Sequence, residues 1–454
     1  MAIQSLNPAT NKVIKNFTPH SPDELENSLN RADLAFGSWR KTLFTERADL
    51  MRRAAQELKD NVNHYAEIIT LEMGKPIRES KGEINKCALC CEFYAEHAET
   101  YLKDEDIHSD ASVSYISYEP LGIILAVMPW NFPFWQVFRF AAPSLMAGNV
   151  GLLKHASNVP QCALAIEEVF RKAGFPEGVF TTALVESEAV ETLIKDDRIK
   201  AVTLTGSEGA GASVAALAGS QIKKTVMELG GSDAFIVLAD ANLEETAEMA
   251  AKARMINTGQ SCIAAKRFII EEKIAPKFIN RMKHYLQALK TGDTLDETTD
   301  YGPLARQDLA ASVQKQVDES VAKGAKILLE GGRPDETSAY FHPMMLTDIQ
   351  PGTPAHEEEI FGPVACIFVV KNAEEAIKVA NESRYGLGAS IWSCNVQEAR
   401  KLARQIESGA VFINGIVQSH PALPFGGIKK SGYGRELSYV GIREFVNQKT
   451  VWVA

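Results

Sequence analysis

The chain has 454 residues, 45% apolar and 23% charged, the balance of a globular protein with a large core, which excludes global disorder. At about 150 residues per domain, the length allows roughly three lobes, or two large ones with an extension. The 48 Lys plus Arg against 58 Asp plus Glu leave a net charge of −10 with no long run of one sign, so non-specific nucleic-acid binding, which relies on clustered cations, is excluded.

No stretch approaches the roughly 18 uninterrupted apolar residues of a membrane helix; the longest, residues 121–130, is broken by Gly122 and Pro129. The first residues lack the charged start and apolar core of a secretory signal, and cytoplasm is the expected compartment. The seven cysteines, at irregular spacing, fit free thiols in a reducing environment better than a disulfide framework.

Ser21-Pro22-Asp23-Glu24 predicts a helix start, with a hydroxyl cap, proline at the first helical position and an acid returning to the cap. Helical runs follow over 46–73, ending at Gly74 and Pro76, and from about residue 79 to 102. Alternation over 112–118 predicts a strand, and the aliphatic run 123–127 a buried one. Strands at 150–153, 179–184 and 201–204 then alternate with helices at 162–172, 189–195 and 210–218, a rhythm that predicts a parallel sheet covered on both faces. A second α/β passage opens near Val226 and 234–238, with a helix at 243–255 and strands at 267–270, 365–370 and 410–413, so two sheets are expected. There is no low-complexity tract or short repeat.

The most informative segment is Asn257-Thr258-Gly259-Gln260-Ser261-Cys262. A cysteine after glycine and small polar residues, behind a helix, suits a tight loop where backbone N–H groups meet a reacting carbonyl; an inert buried cysteine is the alternative. Cys87, Cys90 and Cys91 share helical offsets with His97, but the second ligand pair of a zinc site is missing, so core packing and no metal are expected. Val226-Met227-Glu228-Leu229-Gly230-Gly231 reads as a strand running into a glycine turn, leaving either a desolvated general base or an ordinary solvated glutamate. Thr205-Gly206-Ser207-Glu208-Gly209 follows a strand and opens a helix, a place for a pyrophosphate or simply a structural turn. Asn131, in Pro129-Trp130-Asn131-Phe132-Pro133, can aim an amide at an oxyanion or cap a turn, and Lys154 can meet a nucleotide hydroxyl or face solvent.

Taken in order, PWNFP at 129–133, LLKHASNVP at 152–160, LTGSEGAG at 204–211, MELGG at 227–231, GQSCIAAKR at 259–267, EEIFGPV at 358–364 and PFGGIKKSGYGRE at 424–436 resemble the aldehyde dehydrogenase superfamily, and within it the short bacterial NAD(P)-dependent succinate-semialdehyde dehydrogenases. The resemblance implies an α/β fold with a Rossmann-like cofactor domain (1–103 and 121–227), a catalytic α/β domain (228–435) and a small β oligomerisation extension (104–120 and 436–454), assembled as a homodimer or homotetramer. It implies Cys262 as nucleophile, Glu228 as general base and Asn131 as part of an oxyanion hole. Trp130, Asn131, Lys154, Ser157, Gly206, Ser207, Leu229, Glu359 and Phe361 match positions lining the dinucleotide. Ser157 replaces a glutamate common in NAD-strict members, so both NADP and NAD are expected as cofactors. Arg139 matches an arginine that meets the distal carboxylate of succinate semialdehyde, with Ser419 nearby, while Ile256 stands where a second such arginine is found. A coenzyme-A-acylating enzyme, an enzyme for another small aldehyde and a non-catalytic member are the alternatives; the presence of Glu228 disfavours the first, and the intact Cys262, Glu228 and Asn131 the last.

Overall fold

The computed structural model describes residues 3–454. The first helix, Pro22–Trp39, begins as its sequence dictates: Glu24 N–H donates to Ser21 Oγ at 3.3 Å and Ser21 N–H to the Glu24 carboxylate at 2.8 Å, closing a capping box. The run expected over 46–73 is two helices, Phe44–Asp60 and Val62–Met73. The break falls at Asn61, whose side-chain amide and backbone N–H both donate to the Glu57 carbonyl, a local bond that competes with helix continuation. The second helix stops at Gly74 with φ 84°, a left-handed end that only glycine adopts freely. The long helix Ile77–Leu102 then carries Cys87, Cys90 and Cys91 into the core.

The first sheet runs in the order Gly432–Tyr433, Lys224–Glu228, Ile199–Thr205, Ile123–Met128, Val150–His155, Phe180–Thr182. Its last five strands are parallel, their near-continuous apolar runs buried on both faces by helices, as the βαβ rhythm predicts. The chain winds outward from Ile123–Met128 in one direction, then returns to its other side at Ile199–Thr205. That reversal opens a crevice at the carboxyl ends of the strands, the place where open α/β sheets bind ligands. Val226, expected at the start of the second sheet, instead belongs to this one, because Lys224–Glu228 pairs in register with Ile199–Thr205.

The second sheet has seven strands, ordered Lys326–Leu329, Met344–Thr347, Val364–Val370, Arg267–Glu271, Ala234–Val237, Gly388–Trp392, Ala410–Ile413. Only its first pair is antiparallel. The strand Gly432–Tyr433, inside the span expected for the second domain, returns to the first sheet and pairs antiparallel with Lys224–Glu228. A separate sheet of three strands pairs Val113–Pro120 with Val446–Val453 on one side and Glu105–Asp106 on the other. Val113, Trp452 and Val453 are exposed on it.

A buried ion pair sets the entry to the helix Trp135–Met146. Lys75 and Glu83 are 0% and 1% exposed and bonded to each other, and the second Glu83 oxygen accepts the N–H groups of Phe134 and Trp135 at 2.8 and 2.9 Å. The carboxylate therefore satisfies the orphan donors at the helix N-terminus, where negative charge is favoured. Replacing Glu83 with alanine strands Lys75 in the core and is expected to cost about 3–5 kcal/mol, read from denaturant unfolding against the wild type.

Candidate active site

Cys262 follows the helix Leu243–Met255 and a short 3₁₀ turn, Ile256–Gly259. Asn257, Thr258 and Gly259 have φ of 53°, 55° and 79°, three successive left-handed residues of which two carry a Cβ. Such a path is strained and persists only where its surroundings over-determine it. Here the Asn257 amide donates to the Asn131 carbonyl at 2.7 Å and the Gln260 carbonyl at 3.1 Å, its N–H donates to Glu79 at 3.0 Å, and Thr258 Oγ1 exchanges bonds with Gly302. Gly259 lies so close to the next loop that a Cβ there would sit 2.4 Å from the Gly362 carbonyl carbon and 2.8 Å from Pro363 N.

Asn131, between the strand Ile123–Met128 and the helix Trp135–Met146, donates from Nδ2 to the Gln260 carbonyl at 3.0 Å. One amide hydrogen is thereby used to orient the group, and the second remains for another acceptor. Lys266 holds the loop from the other side, donating to the carbonyls of Ser261 at 2.6 Å and Cys262 at 2.7 Å and pairing with Glu359 at 3.1 Å. Cys262 itself is partly buried, and burial pushes its thiol up to about 12, against the pull of Lys266 and Arg139.

Beside Cys262 opens a cavity of about 710 Å³ bordered by Lys86, Trp135, Arg139, Ser419 and Phe425. Asn131 and Glu228 are not on its wall. Glu228 ends the strand Lys224–Glu228 with neither carboxylate oxygen bonded, and its Oε1 faces Gly426, where a Cβ would come within 2.6 Å, next to cavity-lining Phe425. Burial first, then Glu436, push its proton affinity well above the usual carboxylate range, opposed by Arg139 and Arg435. Arg139 is itself paired with Glu436, donates to Thr205 Oγ1 at 3.3 Å and lies over the Phe425 ring. The group expected at a substrate carboxylate thus has an internal carboxylate as its direct partner.

The residues expected at a dinucleotide converge on the crevice of the first sheet. Trp130, Lys154, Ser157, Gly206, Ser207 and Leu229 all lie at or just beyond the carboxyl ends of its parallel strands. Ser207 caps the helix Glu208–Ser220 through the Ala210 N–H, and Gly211 in that helix is where a Cβ would strike Leu229 at 2.4 Å. Lys154 is buried at a strand end, and the Ser157 carbonyl accepts the Gln4 N–H, which pins its loop. Across the crevice Phe361 meets Trp130 edge-to-face at 5.9 Å, and Glu359 accepts the Gly231 N–H at 3.1 Å. Open strand ends, a capped helix N-terminus and one buried cation suit a pyrophosphate with its riboses.

No local sequence signal marks Lys86, Lys266 or Glu436 as site residues. Glu79, Glu83 and Lys86 lie at helical offsets on one face of Ile77–Leu102, but what that face meets depends on Trp135 and Ser419 far along the chain. Cys87, Cys90 and Cys91 are core side chains of the same helix, and His97 packs its ring on Phe93.

The model of the aldehyde dehydrogenase family matches residues 1–451. A probable NADP(+) succinate-semialdehyde dehydrogenase of Synechocystis sp. is 56% identical over 454 residues, covering 100% of both chains. An NADP(+) succinate-semialdehyde dehydrogenase of Mycobacterium leprae is 49% identical over 457 residues, again covering all of both. The crystal structure of a succinic semialdehyde dehydrogenase from Streptococcus pyogenes, in complex with NADP+, superposes with a TM-score of 0.97 at 39% identity over the full length of both chains. Fold, ordered motifs and relatives agree, and the chain belongs to the aldehyde dehydrogenase family.

Proposed function

We propose that the protein oxidises succinate semialdehyde to succinate, with NADP+ or NAD+ as electron acceptor. The observation that carries this reading is Cys262, held on an over-determined loop between a largely apolar cavity that Lys86 and Arg139 border and the crevice of a parallel sheet. The relatives named above support the substrate and the cofactor.

Cys262 Sγ releases its proton to solvent and bonds to the aldehyde carbon, and the charge that gathers on oxygen meets the second Asn131 Nδ2–H and the Cys262 backbone N–H. Donors fixed before reaction stabilise that charge most in the transition state. The nicotinamide, when bound, supplies the acceptor for the hydride that leaves this carbon. Cys262 then holds the acyl group as a thioester. Glu228 takes a proton from water, the water oxygen bonds to the acyl carbon, and the Cys262 sulfur departs with the electron pair of the broken C–S bond. Trp130, Lys154, Ser157, Gly206, Ser207 and Leu229 would hold the dinucleotide, with Glu359 at the ribose and Phe361 beside it. Ser419 and Arg139 would face the polar end of the substrate, Arg139 through the field left over from its pairing with Glu436.

The division into a cofactor domain (1–103, 121–227), a catalytic domain (228–435) and oligomerisation segments (104–120, 436–454) is part of the same proposal, supported by the separate sheet of three strands and by the membership of the two large sheets, except that Gly432–Tyr433 joins the first. Its exposed Val113, Trp452 and Val453 support a homodimer or homotetramer. All seven thiols are free, which supports a reducing, cytoplasmic setting. No helix among the described residues is long and apolar enough to cross a membrane.

Two outcomes test this reading. Because the thiol of Cys262 is raised to about 12, its alkylation by iodoacetamide is expected to be slow at neutral pH and to quicken about tenfold per pH unit into the alkaline range, as the thiolate fraction grows. Peptide mass spectrometry separates it from exposed Cys394, and Cys262→Ala abolishes both the signal and aldehyde oxidation. Ser157→Glu is expected to raise the KM for NADP+ by about tenfold or more, through repulsion of a 2′-phosphate, while changing the KM for NAD+ little. Equal loss for both cofactors would remove Ser157 from the adenosine site.

A further inference from the structure

We propose that Lys86 is the specificity-determining residue that selects aldehydes bearing a distal carboxylate, an inference that rests on the substrate reading above. Four cations and four carboxylates, Glu79, Glu83, Glu248 and Asp300, border the cavity beside Cys262. Arg78 pairs with Asp300 at 3.4 Å, Lys252 with Glu248 at 2.6 Å and Arg139 with Glu436. Among the described residues Lys86 has no carboxylate within ion-pair distance, since its helical neighbour Glu83 is taken by Lys75.

What surrounds Lys86 is arranged for an anion. Its Nζ donates to Ser419 Oγ at 2.9 Å and lies 4.4 Å from the centre of the Trp135 ring. An ammonium has three N–H donors and the ring face consumes none as a hydrogen bond to oxygen, so donor capacity is left over. The same Ser419 oxygen also accepts Trp135 Nε1–H at 3.0 Å. With two donors arriving at its oxygen, the Ser419 hydroxyl hydrogen has no acceptor among the described residues and is free to be donated. Lys86 N–H and Ser419 O–H therefore form a pair, one donor for each oxygen of a single carboxylate, with Trp135 fixing both. Burial and the like charge of Arg139 lower the Lys86 ammonium to about 8, a cost that a bound anion relieves and a neutral ligand does not. Charge-assisted bonds of this kind are about twice as strong as neutral ones.

The test compares succinate semialdehyde with butanal, its neutral four-carbon counterpart, in the wild type, Lys86→Met and Lys86→Arg. The readout is the ratio of kcat/KM for the two aldehydes, which a folding defect lowers together and leaves unchanged. In Lys86→Met the ratio is expected to fall at least about tenfold, mainly through KM for succinate semialdehyde, and Lys86→Arg is expected to restore much of it. Should Lys86→Met not fold, Lys86→Gln, which keeps a donor without the charge, is read in the same way. A wild-type preference that survives loss of the charge overturns the role of Lys86 alone. A wild type with no preference for the acid-bearing aldehyde overturns the substrate reading and this proposal with it.

Discussion

The Gln260 carbonyl is the point on which the site hangs. It accepts from Asn131, which follows a strand of the first sheet, and from Asn257, which belongs to the loop that carries Cys262. The return bond from Asn257 to the Asn131 carbonyl closes the link, so the Cys262 loop and the Asn131 amide are registered by direct contact instead of through the long covalent path between them. A left-handed run holding Asn257 and Thr258 would relax without such partners. The strain is retained by the bonds that buried polar groups along it find, Thr258 with Gly302, the Gln260 amide oxygen with the Ala305 N–H and the Gly259 carbonyl with Arg254, while Asn257 Oδ1 is left without one.

The second constraint is the handling of charge out of water. Lys75 with Glu83, Arg139 with Glu436 and Lys266 with Glu359 place three ion pairs in the region where the sheets meet. Pairs of this sort contribute little net stability, since desolvation offsets attraction, but breaking one is costly, and each holds a reactive element in place. Glu83 sets the helix after Asn131, Lys266 supports the backbone of Cys262, and Glu436 neighbours Glu228. Against this background an unbonded Glu228 and a cation without a carboxylate stand out as groups with capacity to spare.

Much of this was legible in the sequence because it is local. The capping box at Ser21, the left-handed stop at Gly74 and the aliphatic strands of the first sheet depend on neighbours within a few residues. The ordered motifs then located Cys262, Glu228 and Asn131 at strand ends and on one loop. Long-range partners were not legible. The motifs point Arg139 at a substrate carboxylate but do not show its partner within the chain, Glu436, which lies almost 300 residues away and is brought near by Gly432–Tyr433 returning to the first sheet. The strand Gly388–Trp392 was missed because its Gly-Ala-Ser start gives no β-branched signal, although it forms between two strands that were expected. Lys86 was overshadowed by the cysteines beside it, since its meaning comes from Trp135 and Ser419.

The approach of Gly259 to Gly362 joins the segment carrying the sulfur to the one carrying Glu359 and Phe361. With no room for even a methyl group, the two segments form one mechanical unit, and Lys266 bridges them a second time. Anyone redesigning this enzyme by reshaping 359–363 would also displace the Cys262 sulfur. Changes around Ser157 leave that unit alone, which makes that end of the crevice the safer place for engineering.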